Sequence, residues 1–258
     1  MKAVAKIRSG YTAVGTMARV ISDPAIITMA DTAGLDFIIF DMEHGAYSAE
    51  RFLDVFAVSR PRRFSAFVRV PELSKGTISR LLDLGADGIM VPMVESAEQA
   101  EAFVGWAKYD PVGRRGFALA IGANDYAPPV DAIGAMARAN EETITIAQIE
   151  TVSGVEAAAA IAAVPGIDVL LIGPGDLSVS LGRPLDMENP ELEKAIIAVA
   201  EAVANCDKIL GLHAGLPLIK KLLPRGLRMI SHSSDSQLMS AGLAAIDQRC
   251  RGLLEKDG

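Results

Sequence analysis

The stretch Ile167–Gly182, IDVLLIGPGDLSVSLG, sets a short apolar core, Val169 to Gly173, against Gly-Pro-Gly and then a bare carboxylate, Asp176. A continuous apolar run has no polar face to offer water, so it reads as a strand buried on both sides, as in a parallel sheet covered by helices. The acid at its carboxyl end then needs a partner or a task. Seven other runs repeat the pattern: TAVGTM (12–17), DFIIFD (36–41), SAFVRV (65–70), GIMVP (88–92), TITIAQIE (143–150), KILGLH (208–213) and LRMISH (227–232). Helical, Ala-rich segments are expected between them at 23–34, 48–60, 76–84, 96–107, 151–163, 190–205, 216–222 and 235–256.

Eight β/α units without a break predict an α/β chain folded as one (β/α)8 TIM barrel over residues 1–258. The competing doubly wound sheet needs a glycine-rich dinucleotide turn after its first strand, and GTMARVISD has no G-x-G-x-x-G. Residues 108–129, around DPVGRRGFALAIGANDYAPP, are too long for an ordinary connection and are read as a functional loop.

Composition narrows the function. A net charge of −7 and the absence of any Lys/Arg run exclude nucleic acid and anionic membrane as expected partners. Two cysteines, Cys206 and Cys250, make no disulfide framework and have no metal-ligand spacing. The N-terminus MKAVAKIRSG has no apolar signal region, and no 18 apolar residues run uninterrupted. A soluble, cytoplasmic protein is expected.

In a barrel the chemistry gathers at the carboxyl ends of the strands. That rim carries Asp41, Glu43 and His44 after the second strand, Arg69 in the third, Gln148 and Glu150 at the end of the fifth, and Asp176 after the sixth. Asp176 alone reads equally as a helix N-cap. Glu150, one β/α unit earlier, places a second carboxylate in the same space, and a divalent cation resolves the repulsion. Few oxygen ligands suit Mg2+ or Mn2+. Arg69 is read either as a salt-bridge partner of Asp41 or as the fork that holds a substrate carboxylate. His44, with a near-neutral pKa, is the candidate for moving a proton. His213, also at a strand end, is a lesser candidate, and His232 ends the eighth strand in SHSSDS, whose Ser/Asp cluster reads as a helix N-cap. No lysine is expected deep in the barrel, which argues against Schiff-base or pyridoxal chemistry, and no organic cofactor is expected. What survives is a metal and an arginine holding an α-keto acid, the apparatus for stabilising an enolate.

FIIFDMEHG, VRVP, LLDLGADGIMVPMVESAEQAE, PVGRRG, IAQIET and LLIGPGDLSVSLG together resemble the HpcH/HpaI aldolase family of metal-dependent pyruvate aldolases. The resemblance implies a barrel of the phosphoenolpyruvate/pyruvate-domain type in a homo-oligomer, a hexamer or dimer, whose C-terminal helix packs on a neighbouring subunit. It implies that Glu150 and Asp176 hold Mg2+, Mn2+ or Co2+ and that Arg69 contacts the pyruvate carboxylate. His44 belongs to the acid/base machinery, paired with Asp83 from a neighbouring subunit. Asp41, Gln148, Gly173, Pro174 and Gly175 line the keto-acid site. The chain departs from the family at Gly15-Thr16-Met17, where a Trp is common, and at Gly122, where an arginine is usual. The implied function is carbon–carbon cleavage of a 4-hydroxy-2-oxo acid to a keto acid and an aldehyde. A citrate-synthase-like condensation of acetyl-CoA with oxaloacetate, as in siderophore pathways, is the alternative. A non-catalytic binder of small acids on the same barrel is the third reading.

Overall fold

Side chains in the strands alternate between two compartments, and that alternation accounts for their unbroken apolar sequences. Phe37, Ile39, Phe67, Ile146, Val169 and Leu171 fill one buried cluster inside the sheet, while Ile38, Phe40, Val68, Ala147, Leu170 and Ile172 join the larger one beneath the helices. Both faces are dry, and β2 and β3 accordingly carry their polar residues only at the ends, at Asp41, Ser65 and Arg69.

In the computed structural model, which describes residues 2–254, the strands are β1 (Ala13–Ala18), β2 (Phe37–Asp41), β3 (Ser65–Arg69), β4 (Gly88–Val91), β5 (Ile144–Ile149), β6 (Val169–Ile172), β7 (Ile209–His213) and β8 (Leu227–Ser234). All neighbours are parallel, and β1 pairs with β8 to close the barrel in sequence order. The (β/α)8 expectation holds, with strand limits mostly within a residue or two of those read from sequence. Around the barrel run α1 (Ala3–Arg8), α2 (Ala25–Thr32), α3 (Phe52–Ser59), α4 (Lys75–Leu84), α5 (Ala97–Ala107), α6 (Ala132–Glu142), α7 (Val152–Glu156), α8 (Ala158–Ala163), α9 (Pro174–Ser180), α10 (Pro190–Asn205), α11 (Leu216–Leu222) and α12 (Asp235–Leu254).

Three of these helices are not legible as expected. The short α1 stoppers the amino end of the barrel: Ala3, Val4 and Ile7 enter the inner cluster. Its basic residues pair with acids at the starts of alternate strands, Lys2 with Asp87 at 2.6 Å, Lys6 with Asp36 at 2.8 Å and Arg8 with Asp168 at 2.8 Å. Each of those acids also accepts a backbone N–H from the preceding strand, at Ala66, Val14 and Thr145. Helix α6 follows the long loop, with Asp131 capping Gly134. Helix α9 begins inside the Gly-Pro-Gly read as open backbone, because Pro174 takes the first helical position, where its missing N–H costs nothing.

The last helix ends at Leu254 among the described residues, and positions 255 and 256 of the expected span lie outside them. Of α12 only Asp235 is buried, while Leu238, Met239, Leu243, Ile246, Leu253 and Leu254 are exposed. No helix among the described residues is long and apolar enough to cross a membrane.

Candidate active site

Asp41 and Arg69 are register partners at the carboxyl ends of β2 and β3, so their side chains stand side by side. Arg69 donates from Nε to Asp41 Oδ1 at 2.9 Å and from Nη2 to Oδ2 at 2.6 Å. Arg19, just past β1, donates from Nε to the same Oδ2 at 2.9 Å. The backbone N–H groups of Glu43 and His44 turn back onto Oδ1 at 3.1 and 3.2 Å. This turn needs Gly45, where a Cβ would sit 2.2 Å from the Asp41 carbonyl oxygen. Burial alone would raise the Asp41 pKa, but the hydrogen bonds and charge of Arg69, the His44 N–H and Arg19 outweigh it and hold the carboxyl below its usual value. Asp41, placed with the substrate contacts from sequence, is fully buried with both oxygens taken, so in this structure it orients two guanidiniums. Arg69 Nη1 also lies 2.9 Å from Glu43 Oε2.

Across the rim, β5 ends in Gln148 and Glu150, both buried. Glu150 Oε1 accepts the Met93 N–H at 3.0 Å and Oε2 accepts from Gln148 Nε2. Glu150 forms no ion pair among the described residues, and burial, joined by the like charges of Asp176 and Glu43 against the opposing Met93 N–H and Arg69, pushes its pKa up to about 7. Asp176 is exposed in the first turn of α9 and is no N-cap: the cap position is Gly173. Its charge acting on both Glu150 and Glu43 marks the three acids as neighbours. Gly173 leaves no room for a side chain, since a Cβ there would lie 2.6 Å from Glu150 Oε2 and 2.8 Å from Gln148 Nε2. The Gln148 Oε1 atom is buried without a partner.

These residues fit a hard divalent cation. A buried acid, a neighbouring exposed acid and an orphaned amide oxygen present oxygen donors only. Among the described residues no three His, Cys, Asp or Glu side chains converge on one point, so the protein would supply two carboxylates and leave the other positions to water or substrate.

His44 is exposed on the same rim, its Nε2 3.9 Å from Glu43 Oε2. Asp83 is not with it. It lies in the last turn of α4, which runs back from β3 toward the amino ends of the strands, and Arg115 holds it at 2.5 Å. The long loop after α5 lies there too: a Cβ at Gly122 would meet the Leu84 carbonyl oxygen at 2.6 Å. Both features read as functional are therefore at the far end of their own barrel. Lys108, the one buried lysine among the described residues, is also at that end, bonded to the Asn140 carbonyl at 2.7 Å, to the Thr143 carbonyl and to Asp168.

Arg19 is the site residue the sequence reading passed over. It follows directly on a strand end, the same signal that identified Asp41 and Glu150. His213 Nδ1 lies 2.8 Å from Ser231 Oγ, and burial, with the charges of Arg19 and Arg69, presses its pKa down to about 4. His232 Nδ1 meets the Ala214 carbonyl at 2.9 Å, and the Ser/Asp cluster around it caps α12 as expected, Ser234 Oγ accepting the Gln237 N–H at 3.4 Å. Asp235 ties off β1, accepting the N–H groups of Arg19, Val20 and Ile21 at 2.9, 2.9 and 2.7 Å.

Residues 20–241 match the model of the HpcH/HpaI aldolase/citrate lyase family. The chain is 35% identical to a 2-dehydro-3,6-dideoxy-6-sulfogluconate aldolase of Pseudomonas putida over 80% of each chain. It superposes on the crystal structure of an HpcH/HpaI aldolase from Desulfitobacterium hafniense with a TM-score of 0.92, at 32% identity and 97% coverage of both chains. It superposes on the citrate synthase SbnG with a TM-score of 0.84, at 29% identity, covering 96% of this chain and 98% of that one.

Proposed function

Since the chain belongs to the HpcH/HpaI aldolase/citrate lyase family, we propose that it is a divalent-metal-dependent aldolase that cleaves or forms 4-hydroxy-2-oxo acids through the enolate of a three-carbon keto acid. The observation that carries this is Glu150, a buried carboxylate with no ion-pair partner, pinned by Met93 and Gln148 beside Asp176 at a position where Gly173 keeps the space free. Cleavage is preferred to the citrate-synthase-like condensation because the 35% identical relative is an aldolase.

Glu150 and Asp176 would hold the cation, Mg2+ or Mn2+ by the hardness of the donors. When bound, it supplies positive charge that stabilises the oxygen of the keto acid as that oxygen turns enolate. Arg69 keeps one N–H on each Nη beyond its contacts with Asp41 and Glu43, and these hold the keto-acid carboxylate. Asp41 fixes that guanidinium before substrate arrives, so no reorganisation is left for the reaction. His44, open to the mouth, takes the proton of the C4 hydroxyl. The C3–C4 bond then breaks, the aldehyde departs, and the electron pair left on C3 takes up the proton that His44 removed, giving the methyl group of the keto acid and restoring His44.

His44 faces open space within its own chain, while Asp83 and the 108–129 loop lie at the opposite end of the barrel. A homo-oligomer brings them together: Asp83 of a second copy orients His44, and the exposed apolar residues of α12 pack on a neighbour. The test is exchange of the pyruvate methyl protons with deuterated water, followed by proton NMR. Exchange abolished by EDTA and restored by Mg2+ or Mn2+ is expected; exchange that survives chelation refutes the reading.

A further inference from the structure

The motif PVGRRG (111–116) carries two adjacent arginines for which the chemistry above has no use. Arg114 is exposed, but the Arg115 side chain is only 3% exposed, although it stands in a loop. A guanidinium withdrawn from water needs a return for its desolvation. The loop around it is a built bracket. The Arg115 N–H closes a turn onto the Lys108 carbonyl at 2.9 Å, over Gly113, where a Cβ would stand 2.3 Å from that oxygen. Asn140 of α6 pins Tyr109 by both main-chain groups, its Oδ1 accepting the Tyr109 N–H at 2.7 Å and its Nδ2 donating to the Tyr109 carbonyl at 2.9 Å. The Tyr109 ring carries the Arg115 guanidinium on its face, 4.7 Å from the centroid, and meets Phe117 edge-on at 5.7 Å.

Held this way, the guanidinium reaches one acceptor among the described residues: Asp83 Oδ1, 2.5 Å from Nη2, while its Nε is buried without a partner. Asp83 is gripped from its backbone side as well, because a Cβ at Gly122 would meet the Leu84 carbonyl at 2.6 Å and the Asp83 carbonyl at 3.3 Å. The other carboxylate oxygen, Oδ2, accepts from no group among the described residues, and the Asp83 side chain is 31% exposed. A carboxylate fixed by one oxygen and open at the other has the form of an acid that orients an imidazole and stabilises it when protonated. No histidine of its own chain is near: His44 is exposed at the opposite end of the barrel.

We propose that Arg115 is the positioning residue of the proton-transfer pair. It fixes Asp83 through Oδ1 so that Oδ2 is presented to His44 of a second copy, and each active site is completed by the 108–115 bracket at the base of a neighbouring barrel. This rests on the aldolase reading and on the pairing of His44 with Asp83 between copies.

The test follows exchange of the pyruvate methyl protons with deuterated water in Mg2+-loaded enzyme, at several pyruvate concentrations, since that proton crosses between C3 and His44. Arg115→Met should lower kcat about 10- to 100-fold, the worth of a charge-assisted hydrogen bond, and leave KM for pyruvate unchanged. Arg115→Lys, which keeps the charge and loses the fork, should fall between. An Arg115→Met protein with wild-type kcat, or with its loss confined to KM, overturns the assignment. Oligomers co-assembled from two variants then locate the action. His44→Ala with Arg115→Met should recover exchange to about a quarter of wild type on random assembly, because one copy in such a pair still has His44 and its neighbour still has Asp83 and Arg115. Arg115→Met with Asp83→Asn should recover none, since both defects lie on the same side of the contact. The same mixtures made with Arg115→Lys keep the comparison in a protein whose buried charge is intact. Recovery by His44→Ala with Asp83→Asn but not with Arg115→Met overturns the role of Arg115 alone. Failure of His44→Ala with Asp83→Asn defeats the pairing between copies, and absence of exchange in wild type defeats the aldolase reading; either takes this proposal with it.

Discussion

Gly173→Ala isolates the metal hypothesis in a single methyl group. The backbone of Gly173, at φ −104° and ψ 85°, lies outside the left-handed region, so alanine brings no backbone strain of that kind. The new Cβ would stand 2.6 Å from Glu150 Oε2, about 0.8 Å inside the shortest ordinary contact of 3.4 Å. Glu150 cannot swing aside freely, because Met93 N–H holds one oxygen at 3.0 Å and Gln148 holds the other. The carboxylate must therefore leave its hydrogen bonds or leave the position from which it would grip an ion. Displacing a ligand or its support costs about 10- to 100-fold in metal affinity, whereas one added methylene costs the fold only about 1–3 kcal/mol. Titration calorimetry with Mn2+ on wild type, Gly173→Ala and Gly175→Ala is the assay. At Gly175 a Cβ meets nothing within 4 Å, which makes it the matched control for metal binding. Gly173→Ala should weaken Mn2+ at least tenfold and Gly175→Ala less than threefold; a Gly173→Ala protein that binds within threefold of wild type refutes the reasoning.

Asp41→Asn removes the carboxylate charge that two guanidiniums share, and breaking a buried pair in this way costs about 3–5 kcal/mol, readable as a fall in the urea midpoint. His213, with its pKa lowered to about 4 by burial and then by Arg19 and Arg69, is neutral when folded and charges on unfolding below pH 6.5. Its contribution is complete above that value and is lost as pH falls toward 4, so wild type should lose about 1–2 kcal/mol more than His213→Gln between pH 7 and pH 5 by denaturant titration. Ile7→Ala opens a hole in the stopper and should destabilise by about 2–5 kcal/mol while Mn2+ binding in the folded protein stays within threefold. Leu243→Glu on the exposed face of α12 should shift the protein to a smaller species by light scattering; an unchanged mass removes α12 from the interface.

The barrel was legible because a strand buried on both faces writes itself as a pure apolar run, and the eight runs need no tertiary information to be seen. The rim residues followed from one rule, polar groups at strand ends, and Asp41, Arg69, Gln148 and Glu150 all stand there. The choice between roles was not legible. Arg69 read equally as a salt-bridge partner or as a substrate fork, and only the register of β2 against β3 shows that Asp41 occupies part of it. Helix α1 was missed because six residues make no detectable period and its Lys and Arg find their acids 30, 85 and 160 residues away. Helix α6 had its Asp131 cap in plain view, but Gly134 and the Pro-rich loop before it masked the start. The end of the barrel to which Asp83 and the long loop belong follows from the direction of α4 and α5, which a strand-end inventory does not track.

With α1 driven into the base and clamped by three ion pairs, the barrel is a cup with a single doorway. Whatever lies deepest goes in first and comes out last. On the aldolase reading proposed above, a keto acid seated beside Glu150 beneath a longer aldehyde would have to wait for that aldehyde to leave, because the side chains packed inside the barrel and the short helix beneath them close the other way out.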